Sequence, residues 1–151
     1  MKISTKARYG LRALVDLAIH SGGEQVALQH IAKRQELSIH YLEQVFSLLK
    51  KTGVVKSVKG AQGGYILAKA PCAITIGDIL RAIEGEMAIV EEENFLDAAT
   101  PIQRNMQQCI QQNVWDKVTE SVCNVIDHMT LEDLMKDYEL LTMNESLMYY
   151  I

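Results

Sequence analysis

Five polar side chains share one face of a helix predicted to begin after Ser38. Apolar residues recur at helical spacing on the other face, which turns His40, Tyr41, Glu43, Gln44 and Ser47 outward. A Gln can pair with adenine through two hydrogen bonds, and a Glu can accept one from the cytosine amino group. Because phosphates repel a carboxylate, an acid in an otherwise basic region favours base reading by Glu43. An ion pair with a lysine further along the helix is the alternative.

A second group of polar residues surrounds a glycine-rich turn. Lys56, Ser57 and Lys59 precede the turn Gly60-Ala61-Gln62-Gly63-Gly64, and strand-like segments flank it. Glycines let backbone N–H groups approach a phosphate closely. Gln62 could enter a minor groove or could simply be a turn residue. A nucleotide site is disfavoured because no Gly-Lys-Ser/Thr follows and no helix begins there.

A third group gathers where the first predicted helix begins, and it comprises Lys2, Ser4, Lys6, Arg8 and Tyr9. Helix N-termini bind anions, so we expect phosphate contact here. A solvated basic end without a set partner is the alternative.

The charges divide the chain. Residues 1–70 hold eleven Lys and Arg against four Asp and Glu, a net of +7. Residues 71–151 hold four Lys and Arg against fifteen Asp and Glu, a net of −11. This division favours contact of the first half with a polyanion, although acidic surfaces by themselves are common.

The three cysteines are Cys72, Cys109 and Cys123, an odd number that fits a reducing compartment. On one straight helix Cys109 and Cys123 would lie about 21 Å apart, too far for a disulfide or a shared metal. Each could instead be a small buried apolar residue. We therefore predict no metal and no cofactor.

Other function classes find little support in the sequence. There is no Ser/His/Asp set, His-Glu-x-x-His motif or paired-carboxylate site, so we predict that the chain is not an enzyme. No apolar run approaches the roughly 20 residues of a membrane span, and residues 1–6 do not resemble a signal peptide. We expect a cytoplasmic protein with no membrane partner.

The predicted elements that must position these groups are mainly helical. Helices over about 5–20, 28–35 and 38–53 precede strands over 54–59 and 65–69, and a short helix follows over 76–84. This order predicts a winged helix-turn-helix domain over residues 1–85, which offers one helix to the major groove and a β-hairpin wing to the flanking backbone.

Beyond a connecting loop over residues 86–101, an apolar stripe predicts a long helix over about 102–129. The stripe comprises Met106, Ile110, Val114, Val118, Val122, Val125 and Met129. Such a helix, about 40 Å long, exceeds what one small domain can cover. We therefore assign residues 102–151 to a dimerisation helix and a C-terminal docking helix, over 131–141, with an apolar tail. The fold class is mainly α with a small β-hairpin wing.

Four segments resemble the Rrf-two family of bacterial repressors. They are residues 1–14 (MKISTKARYGLRAL), 37–44 (LSIHYLEQ), 58–65 (VKGAQGGY) and 130–134 (TLEDL). The resemblance implies a dimeric winged-helix transcription factor that binds a palindromic operator in double-stranded DNA. It also implies base contacts from the third helix and the wing, at His40, Tyr41, Glu43, Gln44, Lys59 and Gln62.

The sequence departs from the family pattern at the residues that bind an iron–sulfur cluster in some members. Members that bind an iron–sulfur cluster carry three close cysteines after the wing, often followed by a histidine. Here residues 86–108 contain no cysteine, Cys109 resembles the last of the three, and Gln112 stands where the histidine would be. A cluster normally takes four protein ligands, so one thiolate cannot hold it.

The chain is therefore most similar to the cluster-free, CymR-like branch, as is its ending at residues 148–151. That branch implies a repressor of cysteine and sulfur-metabolism genes with a cysteine synthase as partner. The first alternative is a redox- or iron–sulfur-sensing regulator of the IscR/NsrR type that uses Cys109 and other ligands. The second is a protein-interaction module that has lost DNA binding. The presence of Glu43, the wing glycines and the basic first half of the chain argues against this second alternative.

Overall fold

The computed structural model describes residues 2–90 and 100–150, and within them it is mainly helical with one two-stranded antiparallel sheet. The elements are α1 (Thr5–His20), α2 (Leu28–Gln35), α3 (Ile39–Lys51), β1 (Val55–Val58), β2 (Gly64–Leu67), α4 (Ile76–Glu84), α5 (Pro101–Ile110), α6 (Asp116–His128) and α7 (Leu131–Met148). The predicted fold class is confirmed. No helix in these two ranges is both long and apolar enough to cross a bilayer.

Local capping explains where the helices begin. The Ser4 hydroxyl accepts the Ala7 N–H at 3.0 Å at the start of α1, and the Ser38 hydroxyl accepts the Tyr41 N–H at 3.4 Å at the start of α3. Such a side chain satisfies one of the N–H groups that a helix leaves without a partner. Thr75, Thr100 and Thr130 form reciprocal capping boxes at α4, α5 and α7.

The wing is anchored to α3 through aromatic packing. The β1–β2 register pairs Val55 with Leu67 and Val58 with Gly64. The Tyr65 ring packs edge-on against Phe46 of α3, with centroids 5.0 Å apart. Phe46 is fully buried in the core that α1 to α4 share. A buried side chain of this size contributes about 1.5–3 kcal/mol, so packing around Phe46 helps to hold the wing against α3.

The long helix contains a π turn that the sequence pattern did not predict. Its segments α5 and α6 flank this turn at Gln111–Trp115, and together they run from Pro101 to His128. Stripe residues spaced by four drift about 40° per step around an ideal α-helix. A π turn holds more residues than an α turn, which reduces this drift between Ile110 and Val118.

The apolar stripe of the long helix lies open to solvent on the single chain. Val118 is 43% exposed, Val125 62% and Met106 60%. Ile110, Val114 and Met129 are exposed as well, whereas Val122 is half-buried. Within residues 2–90 and 100–150 nothing covers this surface.

The base of the long helix is joined at α4 to the domain that α1 to α4 and the wing form. The Ile76 N–H donates to the Met129 carbonyl at 2.8 Å, and the Leu131 N–H donates to the Ile74 carbonyl at 2.9 Å. Arg81 of α4 forms an ion pair with Asp127 of α6 at 2.8 Å. These contacts fix the position of the C-terminal end of α6 relative to α4.

The last helix is longer than predicted. We expected a helix over 131–141 followed by an apolar tail, whereas α7 continues to Met148 because no proline or glycine interrupts it. Leu131 is buried, but Leu141, Leu147 and Tyr150 are exposed. Docking of this end onto a partner stays a prediction, which its exposure on the single chain allows.

Most of the predicted connecting loop, including the acidic run Glu91 to Glu93, lies outside the described residues.

Candidate nucleic-acid interface

The outer face of α3 carries the predicted base-reading group. His40, Glu43 and Gln44 are exposed and Tyr41 is half-buried, while the opposite face of the helix is buried. His40 Nδ1 lies 3.6 Å from Glu43 Oε2, with both side chains mostly exposed. The expected alternative, a lysine partner for Glu43, does not occur among the described residues. The carboxylate is thus open to a donor from outside the chain.

The start of α1 and the start of α3 meet around one groove. Tyr9 and Tyr41 pack edge-to-face with ring centroids 6.1 Å apart. A groove of about 410 Å³ lies between them and is lined by Thr5, Tyr9, Glu36, Leu37, Ser38, His40, Tyr41 and Gln44. Because both helices begin here, two positive dipole ends face the same space. The structure thus brings the predicted N-terminal group and the predicted α3 group together.

The N-terminal segment is held by a long-range hydrogen bond. The Ser4 N–H donates to Glu84 Oε1 at the end of α4, at 2.8 Å. Lys2 and Arg8 are exposed beside it, and Lys6 is half-buried. Arg8 donates to the Thr5 hydroxyl at 3.1 Å. The bond to Glu84 therefore fixes the position of this basic N-terminal segment relative to α4.

The wing-tip glycines Gly63 and Gly64 are required by the fold, apart from any role in binding a ligand. A Cβ on Gly64 would lie 2.3 Å from the Val26 carbonyl oxygen, and one on Gly63 would lie 2.6 Å from the Val58 carbonyl oxygen. Val26 and Tyr65 exchange two backbone hydrogen bonds of 2.9 Å, which explains the close approach. The sequence interpretation, which gave these glycines to phosphate contact alone, missed this role.

The remaining wing residues predicted to contact DNA are mostly exposed. Lys56, Lys59, Gly60 and Gln62 are exposed, and Ser57 is half-buried in β1. The Gln62 carbonyl accepts from Gln25 Nε2 at 3.1 Å, which ties the tip to the loop before α2 and leaves the Gln62 side chain exposed.

A polar network between α1 and α2 was missed by sequence reasoning. Asp16 of α1 is only 3% exposed, and its carboxylate accepts from Arg34 at 2.6 and 3.1 Å and from Gln35 Nε2 at 2.8 Å. Hydrogen bonding to Asp16 raises the pKa of Arg34. Arg12 donates from Nε to Gln35 Oε1 at 3.1 Å, and also to the Gln35 carbonyl. The only sequence signal was that Asp16 breaks the apolar pattern of α1.

The three cysteines lie apart, as free thiols. Cys72 and Cys109 are exposed, so the expectation of small buried residues fails for these two. Cys123 is half-buried beside Arg81, whose pKa is raised by hydrogen bonds to Asp127 and, to a smaller extent, to Cys123. Over residues 2–90 and 100–150, no three His, Cys, Asp or Glu side chains are grouped as a metal site.

A helix-turn-helix with a hairpin wing, a basic N-terminal end and an open polar recognition face defines a DNA-binding regulator. Residues 3–137 match the Rrf2 (Rrf-two) family, described as an iron-dependent transcriptional regulator. The chain belongs to this family. It is therefore a transcriptional regulator and not an enzyme, as the sequence predicted.

Several relatives are similar over nearly the whole chain. The transcriptional regulator CymR of Bacillus subtilis is 42% identical over 100% of both chains. Its solved structure, described as the global cysteine regulator, superposes with a TM-score of 0.72 at 43% identity, covering 90% of this chain and 97% of that one. IscR of T. potens superposes with a TM-score of 0.70, also at 43% identity, covering 91% and 88%.

The iron dependence in the family description does not fit the residues in the described ranges. An iron–sulfur cluster usually takes four protein ligands, most often cysteine thiolates. Cys109 has no second cysteine near it: Cys123 lies on the far side of the π turn, and Cys72 lies before α4. Gln112 occupies the position where the family resemblance would place a histidine.

Proposed function

We propose that this regulator represses cysteine and sulfur-metabolism genes by binding a palindromic operator as a homodimer. The observation that carries the proposal is the full-length similarity, at 42% identity, to CymR of Bacillus subtilis. The absence of cysteine from residues 86–108 supports the same branch.

We divide the proposed contacts between the DNA backbone and the bases. Base reading is assigned to the exposed α3 face and the wing tip, at His40, Tyr41, Glu43, Gln44 and Gln62. Backbone contact is assigned to Lys2, Ser4, Lys6, Arg8, Tyr9, Ser38, Lys56, Ser57, Lys59, Gly60, Gly63 and Gly64. For Lys59 the family resemblance implies a base contact as well, and the salt dependence of Lys59→Ala distinguishes the two roles. Phosphate contacts set the register of a protein on the duplex, and base-edge contacts set its sequence preference.

The proposed homodimer forms through the open stripe of α5 and α6. Val118 and Val125, at 43% and 62% exposure, would leave water on contact with a second copy. A two-fold axis through this contact would place two copies of α3 on the DNA in opposite orientations. The operator would then be a palindrome, as in other dimeric helix-turn-helix proteins.

The family resemblance also supports a cysteine synthase as co-repressor. The end of α7 offers an apolar surface for a protein partner, since Leu147, Met148 and Tyr149 are 61%, 78% and 90% exposed. Cytoplasmic location follows from DNA binding as part of the same proposal.

The second candidate is an iron–sulfur sensor of the IscR type. It is favoured by the 43% identity to IscR of T. potens, which equals the identity to the solved CymR structure. Cys109 would be one ligand, and the others would come from elsewhere. Iron and sulfide analysis of protein purified without air separates the two candidates.

Selection of bound sequences from randomised duplexes tests the operator proposal. The wild type is expected to enrich a palindrome, and Glu43→Ala to relax one position in each half-site by about 1–3 kcal/mol. Glu120→Ala, which removes an exposed carboxylate on α6, is the matched control and should leave the enriched sequence unchanged. An identical palindrome from Glu43→Ala would refute base reading by Glu43.

A further inference from the structure

Asp16 is the one charged side chain that is buried in residues 2–90 and 100–150. Its carboxylate receives hydrogen bonds from Arg34 and Gln35, at the C-terminal end of α2. His20 Nδ1 lies 3.5 Å from Asp16 Oδ1 and 2.9 Å from the Asp16 carbonyl oxygen. A buried charge without such partners is costly, so the end of α2 is held where these bonds can form.

The same residues lead step by step to the recognition helix. Gln35 donates to Asp16 through its amide nitrogen and accepts from Arg12 through its amide oxygen. The Arg12 guanidinium lies 5.4 Å from the Tyr9 ring centroid. The Tyr9 ring in turn packs edge-on against Tyr41, in the first turn of α3. An unbroken series of contacts thus links the buried carboxylate with a residue of the reading face.

The backbone between Gln35 and α3 also limits how α3 can be oriented. Glu36, which follows Gln35, is the only non-glycine residue with a positive φ, at 53°, in the described ranges. The turn between α2 and α3 therefore starts from a left-handed residue whose position depends on Gln35. Apolar contacts tolerate small rotations of a helix, whereas charge-assisted hydrogen bonds to a carboxylate fix both distance and direction.

We propose that Asp16 is a positioning residue for sequence recognition: through Gln35, Arg12 and Tyr9 it sets the orientation of α3, without itself touching DNA. The inference goes beyond the proposed function and rests on α3 as the reading helix. It requires that loss of the network should harm binding to the selected sequence more than binding to DNA in general, because phosphate contacts on α1 and the wing remain.

Two variants break the network at different points. Asp16→Asn keeps the shape and removes the charge. Arg12→Lys keeps the charge on an exposed residue and removes the planar fork that reaches Gln35 and Tyr9. Ile79→Val, which removes one buried methyl group from α4, is the control: it should lower stability without touching the network. The probes are the duplex that the wild type selects and a scrambled duplex of equal length and composition.

Both network variants are expected to bind the selected duplex at least about tenfold more weakly, a change of about 1.4 kcal/mol. The affinity for the scrambled duplex and the salt dependence should stay at the wild-type values. Ile79→Val should keep the wild-type ratio between the two duplexes. Equal loss on both duplexes, or an unchanged ratio in both network variants, would overturn the proposal.

Amide hydrogen exchange without DNA gives an independent result. Both network variants should exchange faster than Ile79→Val at Tyr41 and Leu42, whose N–H groups are bonded to Ser38 at the start of α3. If the wild type selects no sequence, the operator proposal fails and this exchange measurement alone decides the inference. Exchange rates at Tyr41 and Leu42 no faster than those of Ile79→Val would then overturn it.

Discussion

A Cβ atom on Gly77 would lie 1.9 Å from Oδ1 of Asp127. The two residues belong to α4 and α6, fifty positions apart in sequence, and Arg81 holds the Asp127 carboxylate with two bonds of 2.8 Å. The absence of a side chain at Gly77 therefore lets the long helix approach the DNA-binding domain. This contact fixes where the proposed dimer arm leaves that domain.

Gly77→Ala should lower the free energy of unfolding because the new methyl group displaces the Asp127 carboxylate from Arg81. In an Asp127→Ala background the same change should instead raise that free energy, by up to about 1 kcal/mol, since Ala favours a helix over Gly. Urea unfolding of the four proteins in this double-mutant cycle measures both effects. A stabilising Gly77→Ala in the wild-type background would show that the carboxylate moves without cost.

The Arg81–Asp127 pair should make stability sensitive to acid. Hydrogen bonding to Arg81 lowers the pKa of Asp127 from its ordinary value of 3.8. Its contribution is therefore fully present above about pH 4 and is lost as the pH falls through the lower pKa of the folded state. Asp127→Asn should lose less stability than the wild type between pH 7 and pH 3, as measured by urea midpoints. Asp137→Asn, an exposed carboxylate on α7, should follow the wild type.

Val118→Asp should disrupt the proposed dimer. The new carboxylate would face the apolar stripe of a second copy, which costs several kcal/mol, of the order of an unpaired buried charge or polar group. Sedimentation velocity at micromolar concentration is expected to show a dimer for the wild type and a folded monomer for Val118→Asp. Asn124→Asp adds the same charge to the same helix away from the stripe and should stay dimeric. A monomeric, folded wild type would exclude the dimer.

Lys59→Ala should weaken binding to all duplexes alike. A lysine at the wing that contacts one phosphate contributes about 0.9 to the slope of log K against log salt, and a dimer has two such lysines. The slope should therefore become shallower by about 2, as measured by fluorescence anisotropy between 50 and 200 mM salt. Lys117→Ala on α6 is the charge-matched control and should leave the slope unchanged. A loss confined to the selected duplex would assign Lys59 to base reading instead.

Protein purified without air should be colourless and should contain no stoichiometric iron or acid-labile sulfide. The reason is the ligand count: the family resemblance implies three cysteines and often a histidine at a cluster, whereas only Cys109 is present there and Gln112 stands at the histidine position. Chemical iron and sulfide analysis decides the point. A brown protein whose iron is lost on Cys109→Ala would move the chain to the iron–sulfur-sensing branch.

Much of the interface could be predicted because its signals are local. The helical periodicity of apolar residues predicted that His40, Glu43 and Gln44 face solvent and that Phe46 faces the core. Ser38 and the capping box at Thr130 involve partners only three residues away, so the sequence marks these helix starts directly. The hairpin was predicted to within two residues, since β propensity and glycine both act over a few positions.

The tertiary structure decided the features that join distant residues. Asp16 meets Arg34 across 18 positions, Gly64 meets Val26 across 38, and Gly77 meets Asp127 across 50. Nothing near any of these residues in sequence reveals its partner, because the partner is chosen by how the helices pack. Periodicity and capping are set by bonds within a few residues along the chain, whereas a buried carboxylate or a missing side chain gains its meaning only when two elements come within contact distance.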